Sequence, residues 1–439
     1  MNILLANSTC KVGGVSTFLL SLRAELLSRG HRVWLFFFDR GPMEPHLPSA
    51  DVQFGTLADL LRLVAREQID VVHANNVDWP TGISAVRRLG ARLVVTAHKV
   101  REPAWTYGWT ANNCDVFVTV ADWIREELQP FTDAPIQVIP NGIDTGRFHP
   151  GPAPSSARPI VAWVGRGSAP RKRLATFAAM APALASAGLR LWVVDPQGSD
   201  SLASTHPDAA HALASVAEMW RGIPYEDMAD VYREVAASGG CVISTASMEG
   251  LPLALLEAQA CGCPVIAADV RGVRECVSPV HGGLLHPEGL APGDVAGLVV
   301  EALRDPAVVQ ERQHAAARYV RTEFSLERMA TRYLTAYREP RRAPHPHQRN
   351  PARRHSPLRH WSGYLEERLG VGYAQYDAAR TLSASGDHWL ATAAADAAFV
   401  TAPTMYAHPQ RLAYWLRQHL AARRRAGQKG QPNRLYRSM

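Results

Sequence analysis

The sequence predicts an α/β protein: two doubly wound parallel-sheet domains, followed by a basic helical extension. Three observations carry this. Short β-branched runs alternate with helical patterns in two successive series, the pattern of βα units with both sheet faces covered. A Gly/Pro/Ser-rich stretch at 151–159 separates the two series and reads as a linker on composition. After residue 337 the composition turns basic and rich in Arg, Pro and His, so the series ends there. With 439 residues the chain is long enough for two sizeable cores.

The elements follow in order. Residues 2–6 form a first strand, Gly13-Gly14 a turn, 16–29 a helix with Phe18, Leu19, Leu22 and Leu26 on one face, and 33–38 a second strand. These glycines do not write a G-x-G-x-x-G fingerprint, which disfavours NAD binding. Further strands are expected at 71–73, 93–96, 116–120 and 137–139, with helices at 57–66 and 79–89. Asn141-Gly142 then closes the first domain, residues 1–150. The second domain, 160–337, opens with a strand at 160–164 and the basic loop GRGSAPRKR. It continues through strands at 191–194 and 241–245 and a helix carrying Leu255, Leu256 and Ala260 inward. Helices at 292–304 and 306–336 complete it.

Charge is unevenly spread. Residues 1–337 hold 30 Lys/Arg against 34 Asp/Glu, whereas 338–439 hold 17 against 6. The body is therefore no nucleic-acid binder, and the tail suits an anionic surface. Within it, 338–360 reads as a linker and 361–439 as helical. The helix from Pro409 sets Leu412, Trp415, Leu416 and Leu420 apart from its arginines, which fits peripheral contact with an anionic membrane or packing on a protein partner. Six cysteines without C-x-x-C spacing read as reduced and buried. The N-terminal run is too short for a signal peptide, and the longest apolar run falls far short of the ~20 residues of a spanning helix, so a cytoplasmic location is expected.

Chemistry concentrates in SMEGLPLALLEAQACGCPVIA, residues 247–267. Glu249 falls in a strand-to-helix loop, Pro252 in the first helical turn, and Glu257 one to two turns on. Amides at 250–253 sit at the positive end of the helix dipole and suit an anionic group. Taken alone, two glutamates with seven residues between them are weak evidence for a site.

The whole string strongly resembles the Glu-x7-Glu signature of retaining GT-B glycosyltransferases, particularly family four (glycosyl transferases group 1). VIPNGIDTGRFHP at 138–150 resembles the lead-in to that family's interdomain linker, and the resemblance covers about three quarters of the chain. It implies a GT-B fold, two Rossmann-like domains facing a cleft, with the last helix of the nucleotide-sugar domain crossing back onto an N-terminal acceptor domain. The implied reaction moves a sugar from a nucleotide-diphosphate donor to a glycan, lipid or other glycoconjugate with retention, in cell-envelope or polysaccharide synthesis. Implied roles are donor-sugar contacts for Glu249, ribose contact for Glu257, and phosphate contact for Gly250, Leu251 and Leu253. Gly14 falls in a glycine loop facing donor and acceptor, and Arg166 with Lys172 holds the diphosphate. The family's five-residue offset would instead select Arg171, and a solvated basic loop is the plain alternative. Gly222, Ile223 and Pro224 resemble the segment whose backbone reads the nucleobase. His98, after the strand VVTA, falls where the family places a histidine beside the sugar, able to donate a hydrogen bond rather than act as base. Arg271 stands where the family has the first of two glycines. No convincing DxD motif is present, so neither a metal nor a cofactor is expected. The competing readings are another GT-B sugar-nucleotide enzyme, such as an epimerase, and a non-catalytic sugar-nucleotide-binding assembly partner.

Overall fold

The computed structural model describes residues 1–75, 85–100, 104–151, 158–195 and 207–340, with 379–382, 384 and 391. The expectations for most of the 151–159 linker, for 341–360, for nearly all of the helical tail and for the start of the 79–89 helix lie outside the described residues. Two compact α/β units result. One comprises residues 1–119, 124–138 and the chain from Tyr333; the other comprises 120–123 and 139–332.

The first unit contains β1 (Asn2–Thr9), α1 (Gly14–Ser28), β2 (Arg32–Asp39), β3 (Val52–Phe54), α2 (Leu57–Arg66), β4 (Val71–Asn75), β5 (Arg92–Ala97), α3 (Trp105–Asn113) and β6 (Val116–Thr119). After α4 (Asp122–Leu128), β7 (Ile136–Val138) completes a seven-stranded sheet ordered β3-β2-β1-β4-β5-β6-β7. Every pairing is parallel, with Ile3 flanked by Val33 and Val71 in the central register. Such strands are covered on both faces, and the near-continuous burial of β1, β2, β4 and β5 follows from that. Phe18, Leu19, Leu22 and Leu26 of α1 are buried, the face expected from their spacing. α2 begins with a capping box, Thr56 with Asp59.

The second unit contains β8 (Ile160–Val164), α5 (Leu174–Ser186), β9 (Arg190–Asp195), α6 (Pro207–Ala214), β10 (Ala217–Arg221), α7 (Met228–Ala237), β11 (Cys241–Ser244), α8 (Leu253–Ala260), β12 (Val265–Ala268) and β13 (Leu284–His286). Its parallel sheet runs β10-β9-β8-β11-β12-β13. Trp163, Phe177, Leu184, Val193, Ile243 and Val299 anchor the core on one face. The helices α9 (Pro292–Ala302), α10 (Pro306–Glu323) and α11 (Leu326–Ala336) follow.

Several elements differ from the sequence expectation. The single helix expected over 306–336 is two, α10 and α11. Between them the Ile143 amide donates to the Phe324 carbonyl at 2.7 Å and the Leu326 amide to the Ile143 carbonyl at 2.8 Å. This exchange removes Leu326 from the helical ladder and starts a new helix. Gly142 makes it possible, because a Cβ there would lie 2.7 Å from the Leu326 Cα. Strands β3, β10, β12 and β13 were not expected: two have three residues, β10 is a partly exposed edge, and β12 lies within the Glu257 string. Pro252 precedes α8 instead of lying in its first turn.

Both sheets reverse direction of growth beside their first strand, between β1 and β4 and between β8 and β11. In open α/β sheets, ligands gather at the carboxyl ends of the strands at such switch points. The two places to examine are therefore the loops after β1 and β4, and those after β8 and β11.

Candidate active site

In the second unit, the loop after β8 carries Arg166 and Lys172, and the loop after β11 carries Glu249. Glu249 is buried at 6% exposure. A carboxylate this enclosed requires a counter-charge. Lys172 supplies it: Nζ lies 2.7 Å from Oε1, while the more exposed Arg171 reaches Oε2 only at 3.8 Å. The arrangement is built from below. The Thr245 hydroxyl lies 2.7 Å from the Lys172 carbonyl and 3.0 Å from that of Arg173, and accepts the Trp163 indole N–H at 3.0 Å. The Ser247 amide donates to the Arg171 carbonyl at 2.9 Å. Arg173 adopts φ 48°, a left-handed conformation that a non-glycine residue tolerates only under external constraint. Beside Arg166, the Gly167 amide donates to Asp195 at 3.1 Å, tying the loop to the end of β9.

Gly272 fixes the Glu249 turn from the other side. Its φ is +79°, and a Cβ would fall 2.2 Å from the Glu249 carbonyl oxygen. The Glu249 amide donates to the Arg271 carbonyl at 3.1 Å. The second position of the glycine pair is thus the one on which the backbone closes; Arg271 contributes its carbonyl and leaves its side chain at the surface.

Glu249, Gly250 and Leu251 lie in the turn before α8, so Leu253 is the first helical residue. The amides of Leu255 and Leu256 already donate to the Pro252 carbonyl, leaving Leu253 and Ala254 as the helix-end amides with no carbonyl of their own helix to meet. Asn141 Nδ2 holds the turn by donating to the Leu251 carbonyl at 3.2 Å.

Glu257 lies one turn into α8 and is also buried, at 5% exposure. No cation within salt-bridge range neutralises it among the described residues; two phenols hold it. Tyr225 donates to Oε1 at 3.1 Å and Tyr232 to Oε2 at 3.3 Å. Burial pushes the carboxyl up to about 7, opposed by the two tyrosine hydroxyls and by Arg147. Phe148 packs on both rings, at 5.7 and 6.3 Å, and the Arg147 guanidinium lies 5.5 Å from the Tyr225 ring centre. Gly222, Ile223 and Pro224 lead from β10 into Tyr225.

In the first unit, Gly14 opens α1 directly after the loop from β1. The first intrahelical bond there is Thr17 to Gly13, so the amides of Gly14, Val15 and Ser16 point out of the helix end. His98 follows β5, and Asn75 ends β4. Asn75 Nδ2 donates to the His73 carbonyl at 3.3 Å and reaches the Ala6 carbonyl at 3.5 Å, which turns Oδ1 toward His98 Nε2 at 3.0 Å. Burial holds the His98 imidazole well below its usual range, so it is neutral and its one N–H is given to Asn75. In this tautomer Nδ1 is an acceptor, and the expected donor role requires the other one. Phe18 meets the ring edge-on at 4.7 Å. Beneath it His73 lies between Tyr337 and Thr96, at 2.7 and 2.8 Å.

The structure thus joins Glu249 with Lys172 and Arg171, and holds Glu257 on two phenols, one of them directly after Gly222, Ile223 and Pro224. It gives Arg166 no described side-chain partner. Sequence reasoning did not single out Asn75, Tyr225, Tyr232 or Thr245. Only the Asn75-Asn76 pair after a strand offered a signal, since the tyrosines read as ordinary packing residues. Among the described residues, no three His, Cys, Asp or Glu side chains gather as a metal cage, and no helix is long and apolar enough to cross a membrane.

Comparison with known proteins agrees with this architecture. Residues 12–147 match the model of glycosyltransferase family 4, and residues 158–305 that of glycosyl transferases group 1, together more than half the chain. The D-inositol 3-phosphate glycosyltransferase of Frankia alni is 28% identical over 366 residues, covering 68% of this chain and 88% of that protein. The protein of the same name from Segniliparus rotundus is 30% identical over 215 residues, 46% of each chain, so this alignment spans under half of the relative. HepE of Anabaena, solved with UDP, superposes with a TM-score of 0.63 at 17% identity over 76% of this chain and 99% of that one, a likeness of fold. On the strength of both matched models and the two switch-point sheets, the chain belongs to the family-four glycosyltransferases (glycosyl transferases group 1), enzymes of the GT-B fold.

Proposed function

We propose that the chain transfers a sugar from a nucleotide-diphosphate donor to an acceptor with retention of anomeric configuration and without an essential divalent ion. The observation that carries this is the convergence of Glu249, Lys172 and the start of α8 at the second unit's switch point. Lys172 and Arg166, with the amides of Leu253 and Ala254 and the turn at Gly250 and Leu251, offset the charge that develops on the departing diphosphate. Glu249, held by Lys172, accepts hydrogen bonds from the donor sugar. Glu257 accepts from the ribose diol, and the backbone of Gly222, Ile223 and Pro224 meets the base. At the first unit's own switch point, His98 and the outward amides at Gly14 offer polar and anion-binding groups to a substrate.

The bond from the anomeric carbon to the phosphate oxygen breaks, its electron pair leaving with the diphosphate. The acceptor oxygen bonds to that carbon from the same face and gives its proton to the departing phosphate oxygen. Glu249 orients the donor and forms no covalent bond. The UDP held by HepE makes UDP-sugars the first donors to try, and the relatives' names make a phosphorylated cyclitol the first acceptor. Release of nucleotide diphosphate, with product configuration read by NMR in the presence of EDTA, tests the proposal. An inverted product, or turnover abolished by EDTA and restored by Mg²⁺, contradicts it.

A further inference from the structure

Two tyrosines meet Glu257 that the transfer chemistry itself does not employ. Tyr232 is fully buried within α7, and its hydroxyl belongs to the packed core. Tyr225 is placed differently. It lies outside the helix, directly after Gly222, Ile223 and Pro224, with its ring 5.7 Å from that of Phe148 and 5.5 Å from the Arg147 guanidinium, and its hydroxyl 3.1 Å from Glu257 Oε1. One residue therefore ties the segment assigned to the base to the carboxylate assigned to the ribose.

We propose that Tyr225 is a positioning residue: its hydroxyl fixes the rotation of the Glu257 carboxylate and favours its charged form, so that a nucleotide diol meets one accepting lone pair on each oxygen. An ionised carboxylate offers about four lone-pair sites. Tyr225 and Tyr232 occupy one on each oxygen and leave the second oriented, matching the two O–H donors of a diol. A protonated carboxyl loses this symmetry, because one oxygen becomes a donor. The titratable and charged groups around the Tyr225–Glu257 pair are Arg147 and Asp144 from the 141–150 loop, Tyr232 from α7 and Cys261 from the end of α8, with Asp230 and Arg233 of α7 acting on Cys261. Of these, Cys261 is kept neutral by burial, and Arg147 acts with Tyr225 in favouring the carboxylate.

This inference rests on the ribose role of Glu257, and the experiment separates the two. Affinity for the tightest-binding of UDP-, GDP-, ADP- and TDP-glucose is measured by calorimetry from pH 6 to 8.5 for the wild type, Tyr225→Phe and Glu257→Gln. The wild type binds more tightly as pH rises through neutrality. Tyr225→Phe binds roughly tenfold more weakly at pH 7, the scale of a hydrogen bond to a charged group, and recovers most of the deficit by pH 8.5. Glu257→Gln is weak and flat with pH. A Tyr225→Phe deficit equal at every pH overturns the claim that the hydroxyl favours the charged form, and no deficit at any pH overturns the proposal whole. If Tyr225→Phe does not fold, a pH-independent wild-type affinity overturns it. If no sugar nucleotide binds the wild type, it is the donor reading that fails. The carboxyl titration of Glu257, followed by ¹³C NMR in wild type and Tyr225→Phe, then decides the positioning claim, and an unchanged midpoint contradicts it.

Discussion

Replacing Glu257 with glutamine should stabilise the free protein above neutral pH while weakening its hold on a nucleotide. The carboxyl is buried at 5% exposure and pushed up to about 7. In the unfolded chain it titrates near 4.3, as in a model peptide. Between those values the unfolded chain has released the proton and the folded chain retains it, so stability falls as pH rises across the window. At 1.36 kcal/mol per pKa unit the loss reaches about 3–4 kcal/mol by pH 8 and is nearly absent below pH 4. Glutamine has no such slope. The advantage of Glu257→Gln over wild type should therefore grow by about 3–4 kcal/mol between pH 4 and pH 8. For a unit of this size that corresponds to roughly 6–16 °C in Tm. Scanning fluorimetry of both proteins across this range reads the difference directly. A Tm offset equal at both ends would refute the reasoning, because it would mean that Glu257 keeps an ordinary carboxyl affinity for protons inside the fold. The apparent waste of a carboxylate held on two phenols is intelligible if a nucleotide diol supplies the missing hydrogen bonds.

Other perturbations follow from the same geometry. Lys172→Met leaves the Glu249 carboxylate buried with only Arg171 at 3.8 Å, and should cost roughly 2 kcal/mol in urea melts; adding Glu249→Gln should recover much of it, and a strictly additive double mutant would argue against a direct pair. Gly272→Ala forces a Cβ onto the Glu249 carbonyl at positive φ, so Tm should fall by several degrees and nucleotide affinity with it; an unperturbed variant would show that the turn is not closed there. Asn75→Asp puts an anion beside His98 Nε2, which should raise the imidazole midpoint and be visible in ¹⁵N spectra of the ring; an unchanged titration would remove Asn75 from its place against the ring.

The alternation of apolar runs and helical patterns was enough to identify the parallel sheets, because both-face burial forces such strands to be continuously apolar. The loop after β11 and the helix carrying Glu257 were legible for a related reason: both are local, so residue order carries their geometry, although the helix starts one residue after Pro252. What escaped was set by distance along the chain. Tyr225 and Tyr232 reach Glu257 from 32 and 25 residues away, and Asn75 reaches His98 across 23. Nothing in the local pattern distinguishes a tyrosine that clamps a carboxylate, whether before a helix as Tyr225 or within one as Tyr232, from one that packs. The split between α10 and α11 was hidden likewise, because Phe324-Ser325 breaks no rule of helix propensity; the break is imposed by Ile143, some 180 residues earlier.

The proposed function stands or falls on a nucleotide-diphosphate site built on Lys172 and Glu257 in the second unit. Thermal stabilisation by UDP, GDP, ADP and TDP, repeated with Lys172→Ala and Glu257→Ala, tests it most directly. A ligand at a hundredfold excess over its Kd stabilises by about 2.7 kcal/mol. Tm should rise clearly with one nucleotide, and the rise should be lost in both variants. No shift with any of the four, or a shift that both variants retain in full, would contradict it.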